Sequence, residues 1–346
     1  MSATAMAMTN SPVPQGAIAL WRLLLGLPET QQPALDWPGR TGWIAALSPA
    51  LVGDLVPQMP LERDSLHESR LYGRFQQALQ LRVLQWIAEA GVRCIAIKGF
   101  AAAFLYYPTP ASRLLGDLDL LVRPAEMQAL VRALQAQGFR FGGAIEKAWG
   151  FLSDASFVPL HSADGNCNVD IHVKPDSYPL ELGLDTEQVF AAARPIMAGA
   201  LSVGVPCAEH MALIAVSNLA KDKFAPDGLR KLLDLARLLG SDHDFSWPGL
   251  IETAARPRMA KALETTCALL RAFGTPESLL PETLGHLRSR AMDRLLQDWC
   301  DQAAPSLLRR LEREWQLSAE PGVAARLMLR RGVGLVRARS GLPGSG

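Results

Sequence analysis

The sequence predicts an α+β protein in which a small mixed sheet lies between two helical regions. Apolar residues recur every three or four positions over residues 15–92 and again after residue 205, which is typical of amphipathic helices. Between these regions, short apolar runs alternate with helical segments in the order β-α-β-α-β-β. That order favours a compact unit whose sheet contains both parallel and antiparallel strands.

The first helical region, residues 15–92, is predicted to contain three helices, at residues 17–27, 42–51 and 65–90. Pro28 ends the first helix and Gly91 ends the third, because proline cannot continue a helix and glycine readily closes one. Residues 1–14 have no basic stretch followed by an apolar core. We therefore expect a disordered leader there rather than a signal peptide.

The central region, residues 93–204, is predicted to form the sheet. Strands are expected at residues 93–97, 118–122, 139–141, 155–161 and 166–173, with helices at residues 100–107 and 125–137. A polar turn at residues 162–165 joins the last two strands. This order of elements predicts a small α/β or α+β unit.

The chain returns to helical periodicity after residue 205, so residues 205–338 are predicted to be a helical domain. Helices are expected at residues 207–219, 228–239 and 247–273, followed by two or three shorter ones between residues 279 and 336. Residues 339–346 are rich in glycine, serine and proline, and we expect a flexible tail there.

Composition limits the classes of function. The 346 residues are 49% apolar and 20% charged, which is typical of a soluble globular protein. A net charge of +1 argues against an extended nucleic-acid surface. The five cysteines are far apart, so a zinc site or disulfide framework is not expected and a cytoplasmic location is. No apolar run reaches the roughly 18 residues of a membrane span.

Two aspartates at the start of a predicted strand carry the strongest chemical signal. Asp117 and Asp119 flank Leu118 in a stretch that continues as an apolar run to Val122. Side chains two residues apart in a strand point to the same face, so both carboxylates are expected to project together. Like charges this close need a cation, and Mg²⁺ prefers hard oxygen ligands that it shares with phosphates. The alternative is a solvated strand end that carries two aspartates by chance.

A third carboxylate, Asp170, lies in the predicted strand at residues 166–173. There Asp170 and His172 share the polar face, opposite three apolar side chains. If this strand pairs beside residues 118–122, Asp170 reaches the same metal, and three carboxylates then hold one or two Mg²⁺ for in-line attack on a phosphate. His172 is predicted either to polarise a ligand group or to hydrogen-bond within the sheet.

Lys98 and Gly99 lie where a predicted strand meets a predicted helix. A glycine at such a junction lets phosphate oxygens approach the backbone, and the helix N-terminus favours anions. The Lys98 ammonium then adds a point charge on a triphosphate. The alternative is an ordinary turn with an exposed lysine. Arg113 is predicted to reach either a phosphate or a structural carboxylate.

Together these segments resemble the uncharacterised nucleotidyltransferase family of bacteria, which belongs to the DNA polymerase β-like nucleotidyltransferase superfamily. The resemblance rests on Ile-Lys-Gly-Phe-Ala-Ala-Ala-Phe-Leu-Tyr-Tyr-Pro at 97–108, Arg113, Gly-Asp-Leu-Asp-Leu-Leu-Val at 116–122, and Asp-Ile-His at 170–172. It is closest over residues 70–240. It includes Leu-Arg-Lys-Leu-Leu-Asp-Leu at 229–235, a helical segment where a basic residue and an aspartate recur in the family.

The resemblance implies a polymerase β-like core, embedded in the N- and C-terminal helical regions. It implies a Mg²⁺-dependent transfer of a nucleoside monophosphate from an NTP, expected to be ATP, to an acceptor that is a small molecule, a peptide or a protein. Asp117 and Asp119 match the metal-binding pair, and Asp170 matches the third acidic position. A tailoring role in the biosynthesis of polysaccharides or modified peptides is also implied.

One position departs from the superfamily pattern. Lys98-Gly99 stands where a Gly-Ser turn usually binds phosphate, so phosphate contacts are expected from the backbone, from Lys98 or from Arg113. This departure keeps an alternative open: a catalytically degenerate module that binds a nucleotide or, like an antitoxin, a partner protein. The three retained carboxylates argue for an enzyme, since an apolar strand would be more stable without them.

Overall fold

A computed structural model describes residues 12–28, 35–142, 156–241, 244–327 and 329. Most of the predicted leader and all of the predicted tail lie outside these residues. The bounded helices are α1 (Gln15–Leu24), α2 (Arg40–Leu47), α3 (Pro49–Leu55), α4 (Arg63–Glu89), α5 (Lys98–Tyr106), α6 (Pro124–Ala136), α7 (Thr186–Ala191), α8 (Ala208–Lys221), α9 (Leu229–Ser241), α10 (Trp247–Ala255), α11 (Ala260–Ala272), α12 (Arg290–Asp301) and α13 (Leu307–Arg313). The strands are β1 (Cys94–Ala96), β2 (Leu118–Val122), β3 (Arg140–Phe141), β4 (Leu160–His161), β5 (Asn168–His172), β6 (Arg194–Ala198) and β7 (Leu201–Val205).

The strands form one mixed sheet in the order β3-β4-β5-β2-β1-β7-β6. The central strand β2 runs antiparallel to β1 and parallel to β5, and β1 runs parallel to β7. The other neighbouring pairs are antiparallel. The predicted α+β fold with a mixed sheet is therefore confirmed.

The hairpin of β6 and β7 was not predicted from the sequence. Its strands carry Pro195 and Gly204, which are both unfavourable in strand interiors and weaken the strand pattern. Gly199, with φ +66°, begins the two-residue turn. The boundary was predicted at residue 204 because the hydrophobic pattern after it is typical of helices. In the structure this position lies inside β7.

Two predicted helices are each divided in two. The segment at residues 42–51 breaks at Ser48, whose φ of +89° ends α2 and whose hydroxyl caps α3 by accepting from the Leu51 amide at 3.1 Å. The segment at residues 247–273 breaks before α11, where Arg258 has φ +57°. In both cases the apolar period continues across the break. The periodicity predicts the helical face but not the interruption.

The two faces of the sheet are buried against different helices. Leu118 and Leu120 of β2 pack with α4 and α6 in one core cluster. Leu121 points to the opposite face and packs with the N-terminal and C-terminal helices in a second cluster. Because side chains alternate along a strand, Asp119 lies on the same face as Leu121 and is directed toward this larger helical layer.

Helices from both ends of the chain build that layer together. Phe273 packs against Trp21 at a ring-centroid distance of 5.6 Å and against Trp43 at 5.2 Å. The Trp43 indole donates to the backbone carbonyl of Trp299 at 2.8 Å. α1 and α2 therefore pack directly with the C-terminal helices over one face of the sheet. No helix in the described parts of the chain is long and apolar enough to cross a lipid bilayer.

Candidate functional site

Two carboxylates lie side by side at the centre of the sheet. β2 and β5 are parallel and in register, so Asp119 stands directly opposite Asp170. Their strand neighbours Leu118 and Val169 are buried on the other face. The apolar residues fix the register of the two strands, because a slip of one residue would bury both aspartates among leucines and valines.

His172 joins the two aspartates, two residues after Asp170 on the same face of β5. Its Nε2 is 2.9 Å from Oδ1 of Asp119 and 3.3 Å from Oδ2 of Asp170. Its Nδ1 lies 3.2 Å from the Ser156 hydroxyl, which orients the ring. One ligand atom from each of Asp119, Asp170 and His172 lies within 4.8 Å of the others, which is close enough to share a metal ion.

Lys98 supplies a cation to this cluster. It is the first residue of α5, and its Nζ lies 2.6 Å from Oδ1 of Asp119 and 3.2 Å from Nε2 of His172. Lys98 has φ +54°, a left-handed conformation that is unusual for a residue with a side chain. The ammonium group that was predicted to contact phosphate therefore contacts a carboxylate, on the wall of the same cavity.

The charges of the cluster shift one another's pKa values. Burial alone would raise the pKa of Asp119, but the Lys98 ammonium and His172 outweigh it and hold that pKa at about 2. Burial and Lys98 oppose protonation of His172, yet its hydrogen bonds with Asp119 and Asp170 raise its pKa above the usual value. Burial would lower the pKa of Lys98, but Asp119 and Asp176 raise it. The cluster therefore favours an ionised carboxylate beside a charged lysine.

The donor set fits a divalent metal. Two carboxylates on adjacent strands offer the hard oxygen ligands that Mg²⁺ and Mn²⁺ prefer, while an imidazole nitrogen is better suited to Zn²⁺. Asp119 and Asp170 would hold the ion, and His172 would act as a third ligand or orient the carboxylates. Lys98 and the metal ion would both contact the Asp119 carboxylate.

Asp117 is placed differently from the other two aspartates. It precedes β2, is exposed, and lines the cavity in front of the cluster together with Gly116. The Gln80 side chain donates to the Gly116 carbonyl at 2.7 Å and fixes this turn. Asp117 lies outside the Asp119–Asp170–His172 group but lines the same cavity as Asp119, so its place at a metal beside Asp119 stays a prediction.

Arg113 is buried and bound to a structural carboxylate. Its Nε is 2.9 Å from Oδ1 of Asp234, and its Nη2 is 2.5 Å from Oδ2. The Tyr107 hydroxyl donates to the same aspartate at 2.8 Å. A Cβ placed on Gly99 would lie 2.8 Å from Nη1 of Arg113, so this position has no room for a side chain beside the guanidinium. Of the two partners predicted for Arg113, the structure contains the structural carboxylate.

A cavity opens in front of these groups, with about 800 Å³ of empty volume that includes solvent at its mouth. Lys98, Gly99, Asp117 and Asp119 line it from the sheet side, and Asn218 and Lys231 line it from α8 and α9. A concave site with a few convergent polar groups is typical of ligand-binding sites.

Sequence reasoning missed the groups that the helical layer contributes. The buried Asp176 accepts from Nδ2 of Asn218 at 3.2 Å and from Nζ of Lys221 at 3.2 Å, and so anchors α8 beside the cavity. Asp234 and Lys231 lie in the 229–235 segment whose basic residue and aspartate had been noted. Nothing in the sequence placed that segment against the sheet.

The sheet, its central carboxylates and the adjacent cavity define a candidate site for a divalent metal and a phosphorylated ligand. Comparison with known protein families is consistent with this. A family model described as "Uncharacterised nucleotidyltransferase" matches residues 45–274, and the chain belongs to this family. The matched range includes every candidate site residue named above. No curated protein matches the chain.

Proposed function

We propose that this protein is a Mg²⁺-dependent nucleotidyltransferase that moves a nucleoside monophosphate from an NTP, with ATP as the first candidate, to an acceptor. The observation that carries the proposal is the register pair of Asp119 and Asp170, of which Asp119 lies in the wall of an open cavity. Family membership supports the reaction class. The core is proposed to be polymerase β-like, with β2 and β5 as the strands that carry the carboxylates.

The proposed step is a single in-line displacement. An acceptor oxygen or nitrogen attacks the α-phosphorus, the bond from that phosphorus to the α,β-bridging oxygen breaks, and pyrophosphate leaves with the bonding electrons. Asp170 accepts the proton of the acceptor. Bound Mg²⁺ would neutralise charge on the phosphate oxygens. Lys98 keeps Asp119 ionised, and the backbone at Gly99 faces the cavity where phosphate would lie.

The acceptor is proposed to be a small molecule, a peptide or a protein that meets the nucleotide at the open mouth of the cavity. Asp117 is exposed there and would contact either the metal or the acceptor. A tailoring role in a biosynthetic cluster, and a cytoplasmic location, remain proposals that accompany this reaction.

Binding and transfer can be tested separately. We expect the purified protein to bind at least one of ATP, GTP, CTP and UTP in the presence of Mg²⁺, measured by calorimetry. We also expect it to release pyrophosphate when given an extract that contains acceptors. Asp170→Asn should abolish pyrophosphate release, while Asp164→Asn, an exposed turn residue, should not. A wild-type protein that binds none of the four nucleotides would overturn the proposal.

A second candidate is a nucleotide-binding module without turnover. The 2.6 Å contact between Lys98 and Asp119 favours it, because the lysine already satisfies a carboxylate that the metal would use. The same experiment separates the two functions. Nucleotide binding with no pyrophosphate release from any extract, in the wild type and in Lys98→Ser alike, is the outcome expected of such a module.

A further inference from the structure

The cavity wall carries three cations among its described residues: Lys98, Arg113 and Lys231. Two of them are already engaged. The Lys98 side chain is 19% exposed and bound to Asp119, and the Arg113 side chain is 7% exposed and bound through two nitrogens to Asp234. A ligand that used either would have to break a buried ion pair, which leaves a buried carboxylate without its partner and is costly.

Lys231 differs from both in its surroundings. Its ammonium pairs with Asp222 at 2.5 Å, but the two side chains are 36% and 35% exposed. Exposed ion pairs contribute little to stability, because water competes for both charges. Lys231 can therefore exchange its carboxylate for another anion at low cost, and it stands on the wall of the cavity when it does so.

The fold also fixes the direction of Lys231. It lies three residues before Asp234 and four before Leu235 on α9, so the three side chains share one helical face, and all three line the cavity. The Arg113 guanidinium holds Asp234 in place through two nitrogens. The buried pair thereby sets the rotation of α9 and turns Lys231 toward the cavity.

We propose that Lys231 binds the β- and γ-phosphates of the nucleotide and so holds the pyrophosphate leaving group. This inference rests on the proposed function and names the phosphate subsite of that site. In-line attack at the α-phosphorus puts the pyrophosphate opposite the acceptor, so the terminal phosphates would extend away from Asp170, which takes the acceptor's proton. A triphosphate carries more negative charge than one divalent ion neutralises. Lys231, on the α9 side of the same cavity, supplies the remaining cation.

The test compares the affinities for a nucleoside tri-, di- and monophosphate, measured by calorimetry with Mg²⁺ present and no acceptor. The probes are whichever of ATP, GTP, CTP and UTP the wild type binds most tightly, together with its diphosphate and monophosphate. Lys231→Met should weaken binding of the tri- and diphosphate about ten- to hundredfold, the range of a charge-assisted hydrogen bond. Monophosphate affinity should stay unchanged, and Lys231→Arg should restore most of the loss.

Two controls separate a phosphate contact from a structural role. Lys174→Met removes a comparable lysine, paired with Glu181 at 2.5 Å and 44% exposed, and should leave all three affinities unchanged. Asp222→Asn frees Lys231 and should keep or raise triphosphate affinity. If Asp222→Asn lowers triphosphate affinity as much as Lys231→Met does, the ion pair merely supports the fold. That result would overturn the inference.

The inference and the proposed function fail in different ways. Suppose that the wild type binds a triphosphate, and that Lys231→Met either changes none of the three affinities or weakens monophosphate binding as much as triphosphate binding. Lys231 is then not the phosphate subsite, and the proposed function stands. If the wild type binds no nucleoside triphosphate, the proposed function is overturned and this subsite with it.

Discussion

The Lys98 ammonium lies 2.6 Å from the carboxylate of Asp119, at the point where the sequence predicts a metal ion. The protein therefore carries one of the cations that its own aspartates require. The contact joins the first residue of α5 to the central strand β2, and it fixes the strand-to-helix turn that faces the cavity. It has consequences for stability as well as for binding.

Removing one partner of the Lys98–Asp119 pair should lower the free energy of unfolding far more than replacing both partners with apolar residues. Asp119→Leu leaves the buried Lys98 ammonium group without its carboxylate partner, so we expect a loss of about 3–5 kcal/mol in the free energy of urea unfolding. Adding Lys98→Met to that variant should recover most of the loss, because no buried charge is left without a partner. Asp117→Asn, at an exposed position, is the control and should stay within about 0.5 kcal/mol of the wild type. Equal stability of Asp119→Leu and the wild type would contradict the contact.

Metal affinity should depend on the register pair. In Mn²⁺ titrations followed by electron paramagnetic resonance, Asp170→Asn should weaken binding at least about tenfold, because one of two adjacent carboxylates is lost. Asp117→Asn should weaken it less in the nucleotide-free protein, since Asp117 lies outside the Asp119–Asp170–His172 group. A larger effect at Asp117 than at Asp170 would move the metal site to the mouth of the cavity.

Gly99 should tolerate no side chain, although alanine is usually the better helix residue. A Cβ at this position lies 2.8 Å from Nη1 of Arg113, which cannot move aside while it binds Asp234. We expect Gly99→Ala to cost about 1–3 kcal/mol in unfolding free energy, as overpacking does. Gly116→Ala, on the same cavity wall, meets no atom within 4 Å and is the matched control. Similar stability of the two variants would show that Arg113 rearranges freely.

Acid should remove the stability that Asp176 contributes. Burial would raise its pKa, but the charges of Lys221 and Lys98 outweigh burial and hold the pKa below the usual 3.8. A carboxyl whose folded pKa is depressed stabilises the protein above its unfolded pKa, and that stability is lost as pH falls through the folded pKa. The stability difference between wild type and Asp176→Asn should therefore be fully present above the unfolded pKa of about 3.9 and shrink as pH falls through the lower folded pKa. Equilibrium unfolding at each pH measures it, and a constant difference would exclude ionisation as the cause.

Much of the fold follows from local sequence patterns. The apolar strand at residues 118–122 and the alternation at residues 168–172 were predictable, because side chains alternate along a strand and each strand has one polar face. α4 and α6 followed from periodicity and from their glycine and proline boundaries. The β6–β7 hairpin did not, since Pro195 and Gly204 hide a strand pattern that pairing with β1 supports.

The sequence by itself determined which residues are candidates for the site: the aspartates, Lys98, Arg113 and His172 stood out by residue type and spacing. Only the tertiary structure decided their partners. The strand order places Asp170 beside Asp119, and the packing of α9 brings Asp234 to Arg113, 121 residues away in the chain. Buried charges must find opposite charges. Which charges meet depends on contacts between distant segments, and local sequence patterns do not predict those contacts.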